Sequence, residues 1–511
     1  METAQLHTLQ DLAVLSAEER PDKVWLREKA GKEIAEKTFA DFLDDSRRVS
    51  SFLRRQGDAA VHAGLVGTAG IAYITCLFGT VIDGNVAVPI DPQLSPDEIA
   101  DNLNRADVTV LFFDARFRPL LETLRRSCPQ IAAFVCLSPT EDELSLQTIL
   151  AQESPAELRP VEAQSCACIL YTSGTTGKSK GVMLSHANLV DNACCCDNEG
   201  SDSDVLLSVL PIHHAYCLTC DVLLSMRYGA TLCINDSPMR LMQNIKLFRP
   251  TMLLLVPLIA ETIYRRIMAE KKKNPLIPLR LAGRAVFGKD LRVIFCGGAY
   301  LSPELQKAYA KMGIPLLQGY GMTECSPRIT SSSEADPSTG EDVGRVVKNC
   351  QVKIEDGEIL TKSPSVMLGY YHNDEATREM FTDDGWLKTG DLGYVKDQRI
   401  YITGRRKNLI ILANGENVSP EELENRFAGC DWLAEVLVYS EDDQITAEVY
   451  PFPEYASRAE ELFRKKVDEI NRAVPPARRI VRLRLRDTEF EKTTSRKVKR
   501  AQSGEKGRLL N

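Results

Sequence analysis

Short, nearly unbroken apolar runs recur along this chain: VTVLFF (Val108 to Phe113), CACILYT (Cys166 to Thr172), TMLLLV (Thr251 to Val256) and VIFC (Val293 to Cys296). Each has strand length, and longer stretches of helical character separate them. A strand that is apolar at almost every position must be covered on both faces, which calls for a sheet with helices packed on either side. The chain is therefore predicted to be α/β. Two of the runs lead directly into glycine-rich turns, as in VIFCGG and LYTSG. Loops at strand ends are where such sheets bind ligands.

At 511 residues the chain is too long for one simple core. Its character changes at Gly404-Arg405-Arg406-Lys407, after which a new α/β run begins and SPEELE (Ser419 to Glu424) reads as a capped helix start. A boundary placed there gives an N-terminal domain of residues 1–405 and a C-terminal domain of residues 406–511, large enough to fold as a unit.

Composition removes several classes. Hydrophobic residues at 44% and charged residues at 26% are ordinary globular usage. A formal charge of -8 gives no general affinity for nucleic acid, which needs clustered positive charge. The segment from Arg478 to Arg508 is rich in Lys and Arg, and a solvated face is its commonest meaning, with phosphates or anionic lipid as alternatives. The start, METAQLHTLQDLAV, lacks the basic and apolar regions of a secretory signal. The apolar run from Met252 to Ala260 is broken by Pro257 and is far shorter than the roughly 20 residues that span a bilayer. The 15 cysteines are odd in number and form no paired CxxC motifs, so reduced, mostly buried thiols are expected. These features predict a cytoplasmic protein with no transmembrane segment.

The strongest local motif is Tyr171-Thr172-Ser173-Gly174-Thr175-Thr176-Gly177-Lys178-Ser179-Lys180-Gly181, which leaves an apolar strand. Glycines let backbone N–H groups turn toward an anion, hydroxyls add donors and Lys180 adds charge, so the loop suits phosphate. A flexible polar linker has similar composition but needs no strand before it. A Walker A loop is excluded because the position that requires its first glycine is Thr172.

This loop resembles the YTSGTTGxPKG signature of the superfamily that joins acyl-CoA synthetases, nonribosomal-peptide adenylation domains and firefly luciferase, with Ser179 in place of the proline. Further motifs follow in family order from KTFADFL (Lys37 to Leu43) to Arg500. The resemblance implies a large multi-subdomain α/β N-terminal domain and a small, mobile α+β C-terminal domain. It assigns Thr172, Ser173, Gly174, Thr175, Thr176 and Gly177 to the phosphates of ATP, and Gly297-Gly298-Ala299 to the adenine side. In Gln318-Gly319-Tyr320-Gly321-Met322-Thr323-Glu324 it implies that Tyr320 stacks on adenine, Thr323 contacts the α-phosphate, and Glu324 holds Mg²⁺ together with Thr172. Asp391, in Lys388-Thr389-Gly390-Asp391, would accept the ribose hydroxyls, with Arg405 as a second ribose contact. An acceptor-only carboxylate suits a diol, although an Asp in a glycine turn is otherwise a plain turn former.

His213 and His214 in LPIHHAY match the family's acid-binding segment, where the second histidine borders the reacting carboxylate. In the stretch Phe490 to Arg500 the register makes Lys497 the catalytic lysine, and Lys180 shares its electrostatic role. Glu491 and Arg496 replace the family's proline and glycine, and synthetases of the long-chain type often lack that glycine, so the resemblance points to that branch. Lys407, two positions beyond Arg405, corresponds to the hinge. Amino-acid-activating domains carry an aspartate in the segment occupied here by Ala215 and Tyr216, so an acid without an α-amino group is expected. The function implied is an ATP- and Mg²⁺-dependent ligase that joins a small-molecule carboxylic acid, of the fatty class, to coenzyme A through an acyl-adenylate. The alternatives are loading of a carrier-protein phosphopantetheine, an aryl acid as substrate, and a non-enzymatic nucleotide-binding module.

Overall fold

The computed structural model describes residues 5–57, 60–140, 143–172, 179–196, 200–412, 416–492, 498–500 and 506–510. The apolar runs are strands, at Val110–Phe113, Cys166–Thr172, Met252–Leu255 and Val293–Cys296. Their two faces enter different cores. Val110 and Phe112 pack in one cluster while Leu111 and Phe113 pack in another, and Met252 and Leu254 are likewise divided from Leu253 and Leu255. That is the two-faced burial the unbroken apolar pattern requires.

Two large sheets result. A 7-stranded sheet has parallel strands at His62–Val66, Val86–Ile90, Val110–Phe113, Ala133–Cys136 and Cys166–Thr172, and is finished by antiparallel Lys180–Ser185 and Gly369–Tyr370. A 13-stranded sheet runs through parallel Thr231–Ile234, Val205–Ser208, Met252–Leu255, Val293–Cys296 and Leu316–Gly321, then continues antiparallel to Leu387–Lys396 and Arg399–Arg405. In the run from Met252 to Ala260 the strand stops at Leu255, and Pro257 opens the helix Pro257–Lys273, where its missing N–H costs nothing. Among the described residues no helix is long and apolar enough to cross a membrane.

The chain thus has a large N-terminal α/β part and a small C-terminal α+β part. Arg399–Arg405 is a strand of the 13-stranded sheet, Arg406–Asn408 is a single 3₁₀ turn, and from Ile410 onward the apolar side chains form a separate core around Val438, Phe463 and Val467. Within that part Ser419 caps the helix Pro420–Asn425 by accepting the Glu422 N–H at 3.4 Å. The basic segment after Arg478 differs from the solvated face expected of it. Arg478 pairs with Glu416 at 2.9 Å, Arg484 with Glu441 at 2.8 Å and Arg486 with Glu448 at 2.9 Å, so much of its charge is neutralised within this domain. All fifteen cysteines are free thiols, most of them buried.

Candidate active site

The parallel strands Met252–Leu255, Val293–Cys296 and Leu316–Gly321 end side by side, and their C-terminal turns line one crevice. Gly298 has φ +82°, which only glycine adopts without strain. A Cβ on Gly297 would sit 3.2 Å from the Gly319 carbonyl and 3.4 Å from Cζ of Tyr216, so this turn, the second nucleotide motif and the acid-side segment are in direct contact. Ala299 is exposed at the end of the turn and Gln318 is buried at the strand's inner end. At Gly321 any side chain would collide with the Pro327 carbonyl, which instead accepts the Met322 N–H at 2.9 Å. That close return of the chain starts the 3₁₀ turn Thr323–Cys325 and buries Glu324 to 8% exposure.

Glu324 Oε1 accepts the Tyr370 hydroxyl at 2.8 Å. Tyr370 stands beside the phosphate-loop hairpin, opposite Val182, and the Lys180 ammonium lies 4.7 Å from its ring centroid, a cation–π contact. Thr172 faces Lys180 across the hairpin. Thr172, Lys180, Tyr370 and Glu324 therefore form one contiguous group, in which Tyr370 carries no motif signal beyond a Gly-Tyr pair after a turn. Burial and Glu324 push the Tyr370 hydroxyl well above its ordinary pKa, keeping it a donor. Among the described residues Glu324 has no ion-pair partner, and a buried carboxylate without one fits a hard divalent cation.

The second group is built around Asp391, expected from the sequence to face the ribose. Asp391 is 5% exposed, accepts the Tyr320 hydroxyl at 2.7 Å and pairs with Arg405 Nε at 2.9 Å, its direct cross-strand neighbour. Burial and Asp391 raise the Tyr320 hydroxyl pKa well above normal. Glu358, absent from every motif, holds the turn from behind: it accepts the Gly390 N–H at 2.9 Å and an Arg406 N–H at 2.6 Å. Lys407 lies next to both groups. Loss of water from its ammonium, together with Arg405, Lys180 and the opposing pull of Asp391 and Glu324, leaves it below the usual lysine pKa.

On the acid side His213 is buried, with its ring centroid 4.3 Å from that of His214 and Nε2 3.7 Å from Asp91. Burial, aided by His214, holds its pKa down to about 3, so the ring is neutral. His214 is half-buried and precedes the short helix Ala215–Cys217, whose Tyr216 meets Gly297. The helix continues as a π-helical turn, Leu218–Leu223, that carries a fully buried carboxyl, Asp221. Ser208 donates to Asp221 at 3.1 Å, its other oxygen has no partner among the described residues, and burial raises its pKa to about 7. The expectation for Ala215 and Tyr216 did not extend to this position.

Ser173 to Gly177 and Lys497 lie outside the described residues. The flanks of Lys497 are described. Lys492 bridges to Val498, the Lys499 N–H reaches the Glu491 carbonyl at 2.8 Å, and Arg500 pairs with Glu424 and, at 3.3 Å, with Glu421. Burial raises the Glu424 pKa to about 7, with Arg500 acting in the opposite direction. The base of the segment that bears Lys497 is thus anchored on both limbs.

A family model described as AMP-binding enzyme matches residues 15–371. The chain belongs to the AMP-binding enzyme family. This family member is 29% identical over 456 residues to the peroxisomal long chain acyl-CoA synthetase 6 of Arabidopsis thaliana, covering 75% of the chain and 65% of that protein. It is 30% identical to 4-coumarate–CoA ligase 1 of Arabidopsis thaliana, covering 74% of the chain and 71% of that protein, and 30% identical to the 2-succinylbenzoate–CoA ligase of Bacillus cytotoxicus, covering 74% and 75%. The match spans under two thirds of the length of the long-chain relatives, 65% in one and 59% in another. The fold superposes on the anthranilate CoA ligase AuaEII with a TM-score of 0.85 at 23% identity, over 98% of both chains. ATP-bound MatB from Rhodopseudomonas palustris gives 0.82 at 23% identity, over 96% of this chain and 97% of that one.

Proposed function

We propose that this AMP-binding enzyme activates a carboxylic acid with ATP and transfers the acyl group to coenzyme A. One observation carries the proposal: the Thr172, Lys180, Tyr370, Glu324 group and the Tyr320, Asp391, Arg405 group flank the Gly297 turn, which touches the acid-side Tyr216. A phosphate-facing set, a diol-facing carboxylate and an acid-side segment then meet at one crevice.

In this reading Tyr320 and the Gly297-Gly298-Ala299 turn hold adenine, Asp391 and Arg405 hold the ribose, and the 172–177 loop and Thr323 hold the phosphates. Mg²⁺, held by Glu324 and Thr172, would neutralise phosphate charge. A carboxylate oxygen attacks the α-phosphorus, the bond to the bridging oxygen breaks, and pyrophosphate leaves with the electron pair. Two anions approach each other in that step, so fixed positive charge from Lys180 and Lys497 lowers its barrier. His214 borders the reacting carboxylate. The small domain, residues 406–511, then turns about Lys407. A thiol replaces AMP at the acyl carbon and gives up its proton.

The long-chain relatives and the lack of an aspartate at Ala215 and Tyr216 support a fatty acid. The coumarate and succinylbenzoate relatives favour a second reading, an aryl acid. The free thiols suit a reducing, cytoplasmic setting. The test is a pyrophosphate-exchange screen over fatty, aryl and amino acids. The fatty reading expects apparent affinity to rise about fourfold per added CH₂, from roughly 0.8 kcal/mol each, until the pocket fills. Preference for aryl acids moves the assignment to the second reading, and preference for α-amino acids contradicts both. Thioester yield with free coenzyme A against a carrier protein decides the acceptor.

A further inference from the structure

The connection between the helices Pro257–Lys273 and Leu279–Phe287 is unlike the rest of this acidic surface. Leu276 is 98% exposed, Leu281 59% and Ile277 41%. Ile277 and Leu281 edge a shallow groove of about 290 Å³, whose walls include Ile267, Lys271 and Val286. Cations ring the same place. Lys271, Lys272 and Lys273 form the last turn of the first helix, Arg280 and Arg284 lie on the second, and the neighbouring acid, Glu270, is paired with Lys273 at 2.7 Å. The second helix is anchored from below by Phe287, which packs with Tyr309 and Met312.

Three lysines at a helix C-terminus stabilise it through the macrodipole, so the lysines alone need no further account. The apolar residues do. Single exposed leucines are ordinary, but three large apolar side chains gathered at one tip and encircled by cations are a patch. An apolar tip that enters the acyl boundary, with Lys and Arg at the level of the headgroup phosphates, is the chemistry of peripheral contact with an anionic bilayer. We propose that this connection docks the protein on an anionic phospholipid surface. A nucleic acid would use the cations and leave the leucines in water. A second copy would cover the leucines and bring like charges together. The overall charge of -8 gives the protein as a whole no general attraction to the same bilayer. The inference goes beyond the acid-activating reading and needs neither ATP nor acid.

The test is co-sedimentation of the full chain, without nucleotide, with vesicles of phosphatidylcholine alone or mixed with phosphatidylglycerol. Binding is expected to the mixed vesicles only, weakening as salt rises. Lys271→Gln with Lys272→Gln should lower affinity roughly thirtyfold, from two cations near an anionic surface. Leu276→Ser with Leu281→Ser should lower it at least about tenfold by removing the inserted side chains. Lys272, Leu276 and Leu281 are exposed and Lys271 is half-buried, donating to the Pro275 carbonyl at 3.2 Å, so unchanged melting temperature and pyrophosphate exchange are the check that the variants are folded. Lys465→Gln with Arg472→Gln, on the exposed face of the helix Ala459–Arg472, should bind as the parent does. Absence of binding to mixed vesicles, full binding by either of the first two variants, or equal loss in the last one overturns the proposal.

Discussion

The nucleotide-facing and acid-facing sides of the crevice are built differently. On the proposed nucleotide side the carboxylates are each partnered: Asp391 by Tyr320 and Arg405, Glu358 by Gly390 and Arg406, and Glu324 by Tyr370, while the buried Gln318 Oε1 has no partner among the described residues. On the acid side burial dominates, with His213 neutral and one oxygen of Asp221 without a partner among the described residues. On the proposed assignment, a nucleotide that is the same in every turnover would meet a pre-paired set of carboxylates, whereas an acid pocket would be shaped chiefly by which side chains fill it.

The largest expected effect lies outside both sides. Lys497→Ala should slow adenylate formation by on the order of 10³-fold, as for loss of one preorganised charge, while thioester formation from supplied acyl-adenylate continues. Normal adenylation by this variant would remove Lys497 from the account. Asp391→Asn comes next: it keeps the shape but removes the charge that orders Arg405 and Tyr320. At roughly 1.5–3 kcal/mol for charged hydrogen bonds, KM for ATP should rise about 10- to 100-fold with KM for the acid unchanged. Equal movement of both constants would break the division between the two sides.

The acid side is probed by pH. His213 has a folded pKa of about 3 against an ordinary 6.5, so the unfolded chain takes up the proton first. Its contribution is complete above pH 6.5 and is lost as pH falls toward 3, with roughly 2 kcal/mol gone between pH 7 and pH 5. Melting curves of the parent and His213→Gln over that range should diverge, the variant having the shallower slope. Parallel curves would mean that His213 is not held neutral by burial. The smallest effect expected is that of Tyr370→Phe. It keeps the ring against Lys180 and deletes one hydrogen bond to Glu324, worth about 1 kcal/mol, so turnover at limiting Mg²⁺ should fall about fivefold and recover as Mg²⁺ is raised. A loss that Mg²⁺ does not relieve would separate Tyr370 from the metal-facing role of Glu324.

Much of the fold was legible because its strands are buried on both faces, a pattern that Val110–Phe113 and Met252–Leu255 write directly into composition. The strand Arg482–Leu485 was not, because its alternating arginines pair with Glu441 and Asp442 at the end of the hairpin that precedes it, and sequence read in one dimension shows only the charge. In the site, Gly298 and Gly321 stand where local backbone geometry demands glycine, so a motif reveals them. Tyr370 and Glu358 escaped notice because their partners, Glu324 and Gly390, are 46 and 32 residues away and are met only through sheet register. Asp221 escaped for the opposite reason: one acid in an apolar helical stretch looks like an outward-facing residue until the π turn places it inside.

If acid and ATP meet in this crevice to give an acyl-adenylate, the identity of the products reports it. With a fatty acid, ATP and Mg²⁺, labelled pyrophosphate should exchange into ATP only when the acid is present, and AMP should be the nucleotide product once coenzyme A is added. Formation of ADP and phosphate, or nucleotide turnover that ignores every acid supplied, would contradict it.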